Sequence, residues 1–104
     1  MANYVLAYRG GAMAQTDAER EAAMAAWGQW FGALGPAIVD AGNPFGPSSS
    51  VASDGSIGDG GASALTGYSI LTADSLPAAA ELAKGCPVLS NGGSVEVYET
   101  IPIM

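Results

Sequence analysis

The chain has 104 residues, 49% of them hydrophobic and only 12% charged, with 3 basic against 10 acidic side chains and a net charge of −7. That length and apolar content predict a single domain with a core of its own. The three cations, Arg9, Arg20 and Lys84, cannot build a stripe that tracks phosphates, which argues against nucleic acid and against anionic lipid surfaces as partners.

The first predicted element is a strand from Asn3 to Tyr8. It is β-branched and aromatic, with too few polar positions for a half-solvated edge, so it belongs in the middle of a sheet. Arg9-Gly10-Gly11 breaks it. A helix follows from about Asp17 to Leu34. Thr16 and Glu19 have the spacing of a capping box, with Thr16 as N-cap and Glu19 reaching back, and Asp17, Glu19 and Glu21 suit the positive end of the helix dipole. Ala23, Trp27, Trp30, Phe31 and Leu34 recur at spacings of three and four, one wide apolar stripe. Its rings would bring several kcal/mol of burial at about 25 cal/mol per Å². Gly35-Pro36 stops the helix, and a short strand, Ala37 to Ala41, ends at Gly42-Asn43-Pro44.

Residues 42–66 read as an irregular insert rich in Gly, Ser, Ala, Asp and Pro, with turn signals at Gly46-Pro47, Ser53-Asp54-Gly55 and Asp59-Gly60-Gly61. Within it Ser50-Val51-Ala52 and Ser56-Ile57-Gly58 flank Asp54-Gly55 in the manner of a short hairpin. Segments this long and polar are mobile or act as binding lids, and the composition predicts mobility. The next strand is Gly67 to Thr72. A second helix runs from about Leu76 to Lys84, capped by Asp74 or Ser75, with Pro77 in its first turn and Ala78, Ala79, Leu82 and Ala83 as its packing face. Gly85 and Cys86-Pro87 stop it, Asn91-Gly92-Gly93 turns the chain, and a last strand spans Ser94 to Ile103. Within that strand Val95 to Ile101 alternates apolar with polar, the mark of an antiparallel strand with one wetter face.

Strand, helix and strand therefore occur twice over. The predicted fold is α+β, a ferredoxin-like βαββαβ sandwich with an antiparallel sheet, helices on one face and nothing on the other. So few charges point the same way, because a small protein of this composition either exposes apolar surface or hides it in an oligomer. The expected partner is a second copy of the chain. No apolar run approaches the roughly 20 residues that span a bilayer, and Met1-Ala2-Asn3-Tyr4 lacks the basic region of a secretory signal. The single cysteine, Cys86, leaves no internal disulfide and suits a reducing compartment, which predicts a cytoplasmic setting.

The layout and several short motifs resemble the YCII-related family: the opening apolar strand, the tryptophan-bearing first helix, the turn at Gly42-Asn43-Pro44, the strand Leu65-Thr66-Gly67-Tyr68-Ser69-Ile70, the helix end Ala83-Lys84-Gly85-Cys86-Pro87 and the strand Val95-Glu96-Val97. The resemblance implies a dimeric α/β barrel. It also places the chain near the subgroup named for an Asp-Gly-Pro-Phe signature, although Asp59-Gly60 is followed here by Gly61-Ala62. Some members carry a first-helix histidine proposed to work with an aspartate as a catalytic dyad. This chain has no histidine, and the equivalent position falls near Met24, so the resemblance supports fold and dimer and weakens the case for catalysis.

The residues themselves also restrict the chemistry. Without histidine, and with one cysteine, zinc sites of the usual kinds are out of reach. Asp54 and Asp59 lack the ligand order of a calcium loop, and Gly55 to Gly61 lacks the Lys-Ser/Thr ending of a phosphate loop. No metal or cofactor is expected. Cys86 sits at a helix C-terminus, where the dipole raises a thiol pKa, and reads as a packing residue. The remaining candidates are Tyr8, Arg9, Trp27, Trp30, Phe31, Asn43, Phe45 and Tyr68 as ligand contacts, with Asp40 as a general base of raised pKa and Arg9 holding a carboxylate or enolate. The competing assignment makes the aromatics core, has Asp40 close a turn and pairs Arg9 with a surface carboxylate. Three functions follow: a dimeric small-molecule-binding or accessory module without the family's dyad; a cofactor-independent enzyme acting on a small organic acid or enol, for which fold analogy is the warrant; and an interaction protein whose dimer face is its purpose.

Overall fold

The computed structural model of the chain describes residues 2–10, 15–60 and 65–103. Among these residues the elements are β1 (Ala2–Arg9), α1 (Asp17–Leu34), β2 (Ile38–Asp40), β3 (Ser49–Val51), β4 (Ile57–Asp59), β5 (Leu65–Ala73), α2 (Leu76–Ala83) and β6 (Ser94–Glu99). β1, β2, β5 and β6 form one sheet in the order β2-β5-β1-β6, with β3 and β4 paired apart from it. Every described pairing is antiparallel. The result is an α+β architecture with an antiparallel sheet and two helices, compatible with a ferredoxin-like sandwich into which a hairpin has been inserted after the second sheet strand. Gly61 and Ala62, where the incomplete Asp-Gly-Pro-Phe signature runs out, lie outside the described residues.

The period-2 rule sorts the two central strands. On β1, Tyr4, Leu6, Ala7 and Tyr8 are buried, while on β5 the buried positions are Gly67, Ser69, Leu71 and Ala73. The register sets Tyr4 opposite Leu71, Leu6 opposite Ser69 and Tyr8 opposite Gly67, so these positions of both strands fall on one face, while Ala7, although buried, alternates onto the other. Both helices cover that face: Trp30, Leu34, Ala79 and Ala83 join Cys86 and Val88 against it in one core cluster.

The first helix begins and ends where its sequence signals say. Thr16 Oγ1 accepts the Glu19 N–H at 3.1 Å, but the Glu19 carboxylate takes the Gln15 N–H at 2.6 Å rather than that of Thr16. Trp30 and Leu34 are the buried residues of α1, Ala23, Trp27 and Phe31 are half-buried, and Met24 faces solvent. Trp30 Nε1 donates to the Leu82 carbonyl at 3.2 Å, and its ring lies so close to Gly85 that a Cβ there would sit 2.9 Å from it. Gly85 is thus a packing glycine. The second helix ends at Ala83 with Lys84 as its cap, a residue earlier than expected. Ser75, not Asp74, caps its start by accepting the Ala78 N–H at 3.2 Å.

Other expectations shift as well: β1 and β5 run longer than expected and β2 shorter. The last strand stops at Glu99, although the Thr100 N–H still reaches the Asn3 carbonyl at 2.9 Å. Pro102 has no N–H to continue the ladder, and Ile101 and Ile103 are exposed. The insert is not featureless: residues 42–45 run beside β5, with Pro44 bridged to Gly67 and the Phe45 N–H on the Thr66 carbonyl at 2.9 Å. Beyond them β3 and β4 form the hairpin whose turn the Asp54-Gly55 pair announced. No helix among the described residues is long and apolar enough to cross a membrane.

Candidate functional site

The sequence candidates divide between the two faces of the sheet, because neighbouring residues on a strand point opposite ways. Tyr8 faces the helices. Trp27 meets it edge-on at 5.0 Å between ring centroids, and Trp30 and Phe31 lie 5.7 Å from Trp27. These four rings fill the space between α1 and the sheet. Tyr8 OH donates to Ser69 Oγ at 2.7 Å, and Ser69 Oγ donates to the Ala41 carbonyl at 2.6 Å. Ser69 is fully buried, and its two bonds satisfy the cost of burying a hydroxyl. Burial, chiefly, raises the Tyr8 phenol pKa far above its ordinary value and pushes the Cys86 thiol up to about 11. The expected direction for Cys86 holds, but desolvation is the leading cause there, ahead of any helix-end effect.

Arg9 faces the other way, onto the face the helices leave open. That face consists of Asn3, Val5, Ala7 and Arg9 from β1, Thr66, Tyr68, Ile70 and Thr72 from β5, and Ser94, Glu96 and Tyr98 from β6, by alternation with the buried positions. The registers set Tyr68, Ala7 and Glu96 in one row, with Asp40, Ile70, Val5 and Tyr98 in the next. Small and apolar side chains therefore line the middle, and each margin carries an aromatic ring beside a carboxylate.

On the β2 margin, Phe45 stacks on Tyr68 at 5.8 Å with planes 19° apart. The loop geometry that delivers Phe45 depends on Gly42, whose φ of +78° and whose Cα position, with a virtual Cβ 1.7 Å from the Tyr68 carbonyl oxygen, exclude a side chain. The exposed Asp40 closes this loop by accepting the Gly42 N–H at 2.8 Å, and Tyr68 OH approaches its other oxygen at 3.4 Å. Asn43 contributes its backbone carbonyl, which accepts the Tyr68 N–H at 3.3 Å.

On the β6 margin, Arg9 Nη1 donates to Glu96 Oε1 at 2.6 Å, and Tyr98 OH donates to the second oxygen of the same carboxylate. The Tyr98 hydroxyl first, and Arg9 with it, hold the Glu96 carboxyl below the ordinary range, while Glu96 raises the Tyr98 phenol. Glu96 and Tyr98 were not among the sequence candidates. Their signal was present in the alternation of Val95 to Ile101, which put both on the wetter face, but nothing in the sequence paired them with Arg9. Ser69 gave no signal at all, being one polar residue inside an apolar strand.

The structure does not bring Asp40 and Arg9 together. Asp40 lies level with Val5, and Arg9 is four residues further along β1, about 13 Å along the strands and ~10 Å across two strand spacings. The two share a face without sharing a contact. Between the margins lies Ala7, flanked by Tyr68 and Glu96, ~10 Å apart across the same two spacings. Comparisons with known protein families, with characterised proteins and with solved structures find no match to this chain.

Proposed function

We propose that the protein is a homodimeric small-molecule-binding or accessory module, in which two copies pack their open sheet faces together as a dimeric α/β barrel and hold a small organic ligand between them. The observation that carries this reading is the open face itself: an apolar middle of Val5, Ala7 and Ile70 bordered by Tyr68 with Asp40 and Phe45 on one side and by Arg9, Glu96 and Tyr98 on the other. A sheet face of that make-up is poorly matched to water. The surface area supports it. The chain exposes 6955 Å², whereas a compact monomer of its 10.3 kDa would expose about 5,350 Å². The excess, roughly 1,600 Å², is about twice the ~800 Å² that each partner contributes to a standard interface. Membership of the YCII-related family, resting on the motif resemblance, and a cytoplasmic location, resting on the lone buried Cys86, belong to the same proposal.

Binding is favoured over catalysis by two details. Arg9 is already held by Glu96, and Asp40 spends one oxygen on its own loop, so the base of the competing enzyme reading stands without its cation. Of the α1 rings, Trp30 is buried in the core and Trp27 meets Tyr8 edge-on, which favours a packing role for them over a substrate cleft. Sedimentation velocity tests the assembly: the wild type should run as a dimer at micromolar concentration, and Ile70→Glu or Tyr98→Glu should give folded monomers. A wild type that sediments as single chains would overturn the proposal. Mass spectrometry of small molecules co-purifying with the dimer identifies the ligand, and a metabolite screen by thermal shift should show a gain of about 2.7 kcal/mol at a hundredfold excess over Kd.

A further inference from the structure

We infer that the β2 margin of the open face binds a small organic cation, an amine or quaternary ammonium, with the Phe45–Tyr68 pair as aromatic platform and Asp40 as counter-charge. This names a class of ligand for the open face and rests on the small-molecule part of the proposed function. The charge count selects the ligand. The chain has three basic side chains, and each is already in an ion pair: Arg9 with Glu96 at 2.6 Å, Arg20 with Asp17 at 2.9 Å and Lys84 with Glu81 at 2.8 Å. None of the three is left for Asp40. On a chain of net charge −7, the positive partner of that carboxylate comes from outside.

The carboxylate stands where a cation can use it. Asp40 Oδ1 accepts the Gly42 N–H at 2.8 Å, whereas Oδ2 has the Tyr68 hydroxyl at a long 3.4 Å. That second oxygen keeps its capacity to accept from a charged donor, and it sits at the hydroxyl end of the Tyr68 ring. Attraction between a cation and a ring face extends to about 6 Å from the centroid, so an ammonium over Tyr68 is in range of the carboxylate as well. Phe45 stacks on Tyr68 yet remains 48% exposed, which leaves ring surface open to the same ligand. Among the described residues no group of three or more His, Cys, Asp or Glu side chains is placed to hold a metal ion. Rings beside a lone carboxylate suit an organic cation instead.

The platform is held in place as well as exposed. The Ala41 carbonyl accepts from the buried Ser69 hydroxyl at 2.6 Å, the Asn43 carbonyl accepts the Tyr68 N–H at 3.3 Å, and the Phe45 N–H donates to the Thr66 carbonyl at 2.9 Å. The backbone on both sides of Gly42 is thereby pinned to β5, and a ring on a pinned segment loses little freedom when a ligand arrives.

The test is a titration of the full chain with benzyltrimethylammonium, followed by amide chemical shifts, with benzyl alcohol as the uncharged counterpart. The cation should shift the amides around Asp40, Phe45 and Tyr68, and the alcohol should bind about fivefold more weakly, the value of one exposed cation–ring contact. Asp40→Asn, which keeps an acceptor for Gly42, and Phe45→Leu should each weaken the cation by about fivefold. Glu99→Gln, on the opposite edge strand of the sheet, should bind it as the wild type does. Equal affinity for cation and alcohol, an unaltered affinity in Asp40→Asn, or an equal loss in Glu99→Gln overturns the inference. Sedimentation velocity on the same samples separates the two readings. A dimer that ignores the cation removes this ligand class and leaves the assembly, whereas a monomer that binds it removes the assembly and supports the site.

Discussion

Gly42 and Cys86 carry the clearest consequences at the scale of single residues. Gly42→Ala puts a Cβ into the Tyr68 carbonyl at a φ that disfavours side chains, so the variant should lose on the order of 3 kcal/mol, read as a lower urea midpoint, and should weaken the Phe45–Tyr68 stack. For Cys86 the sign follows from its raised folded-state pKa. The neutral thiol is the form the core accepts, so its contribution is complete below the unfolded value of about 8.5 and is lost as pH rises from there through about 11. Tyr8, also raised by burial, adds to the same alkaline trend. Urea midpoints of wild type and Cys86→Ala should therefore converge between those pH values, and a constant gap would show that the thiol does not titrate with unfolding. Glycine before a turn was visible in the sequence, whereas the carbonyl that makes Gly42 obligatory belongs to a strand 26 positions away. Likewise Tyr8 and Arg9 were read as one group of ligand contacts, and only the direction of each side chain separates them.

Among the elements, α1 shows how far local rules reach. Its two ends were set by Thr16 and by Gly35-Pro36, signals that act within a turn of the chain. Thr16→Ala should cost about 1 kcal/mol in chemical denaturation, and it should leave the core untouched because the cap is solvent-exposed. A loss several times larger would mean that the cap also anchors tertiary structure. The aromatic stripe was legible from spacing, while the role of its rings was not. Spacing says that Trp27, Trp30 and Phe31 share a side of the helix, but whether they line a cleft or fill it depends on Tyr8, which arrives from another strand. Within the insert the Asp54-Gly55 turn signal announced the hairpin that β3 and β4 form, while the close approach of Gly60 to Ser48 depends on strand pairing that no local signal encodes.

At the scale of the molecule, the proposed dimer links stability to concentration. If folding and association are coupled, raising the protein concentration should raise Tm by mass action, and differential scanning calorimetry over a hundredfold range should detect it. A Tm independent of concentration would say that the protomer is complete alone.

By itself the amino-acid sequence determined the element order, the central place of β1, the α+β class and the net acidity, since each depends on local propensity, period or charge count. The tertiary structure alone decided which face each candidate occupies, that Arg9 belongs to Glu96 and Tyr98, that Ser69 sits between Tyr8 and Ala41, and that Asp40 stands apart from Arg9. Those facts depend on strand register, a long-range quantity in which one step exchanges the buried face for the open one, and nothing within a window of neighbouring residues encodes it.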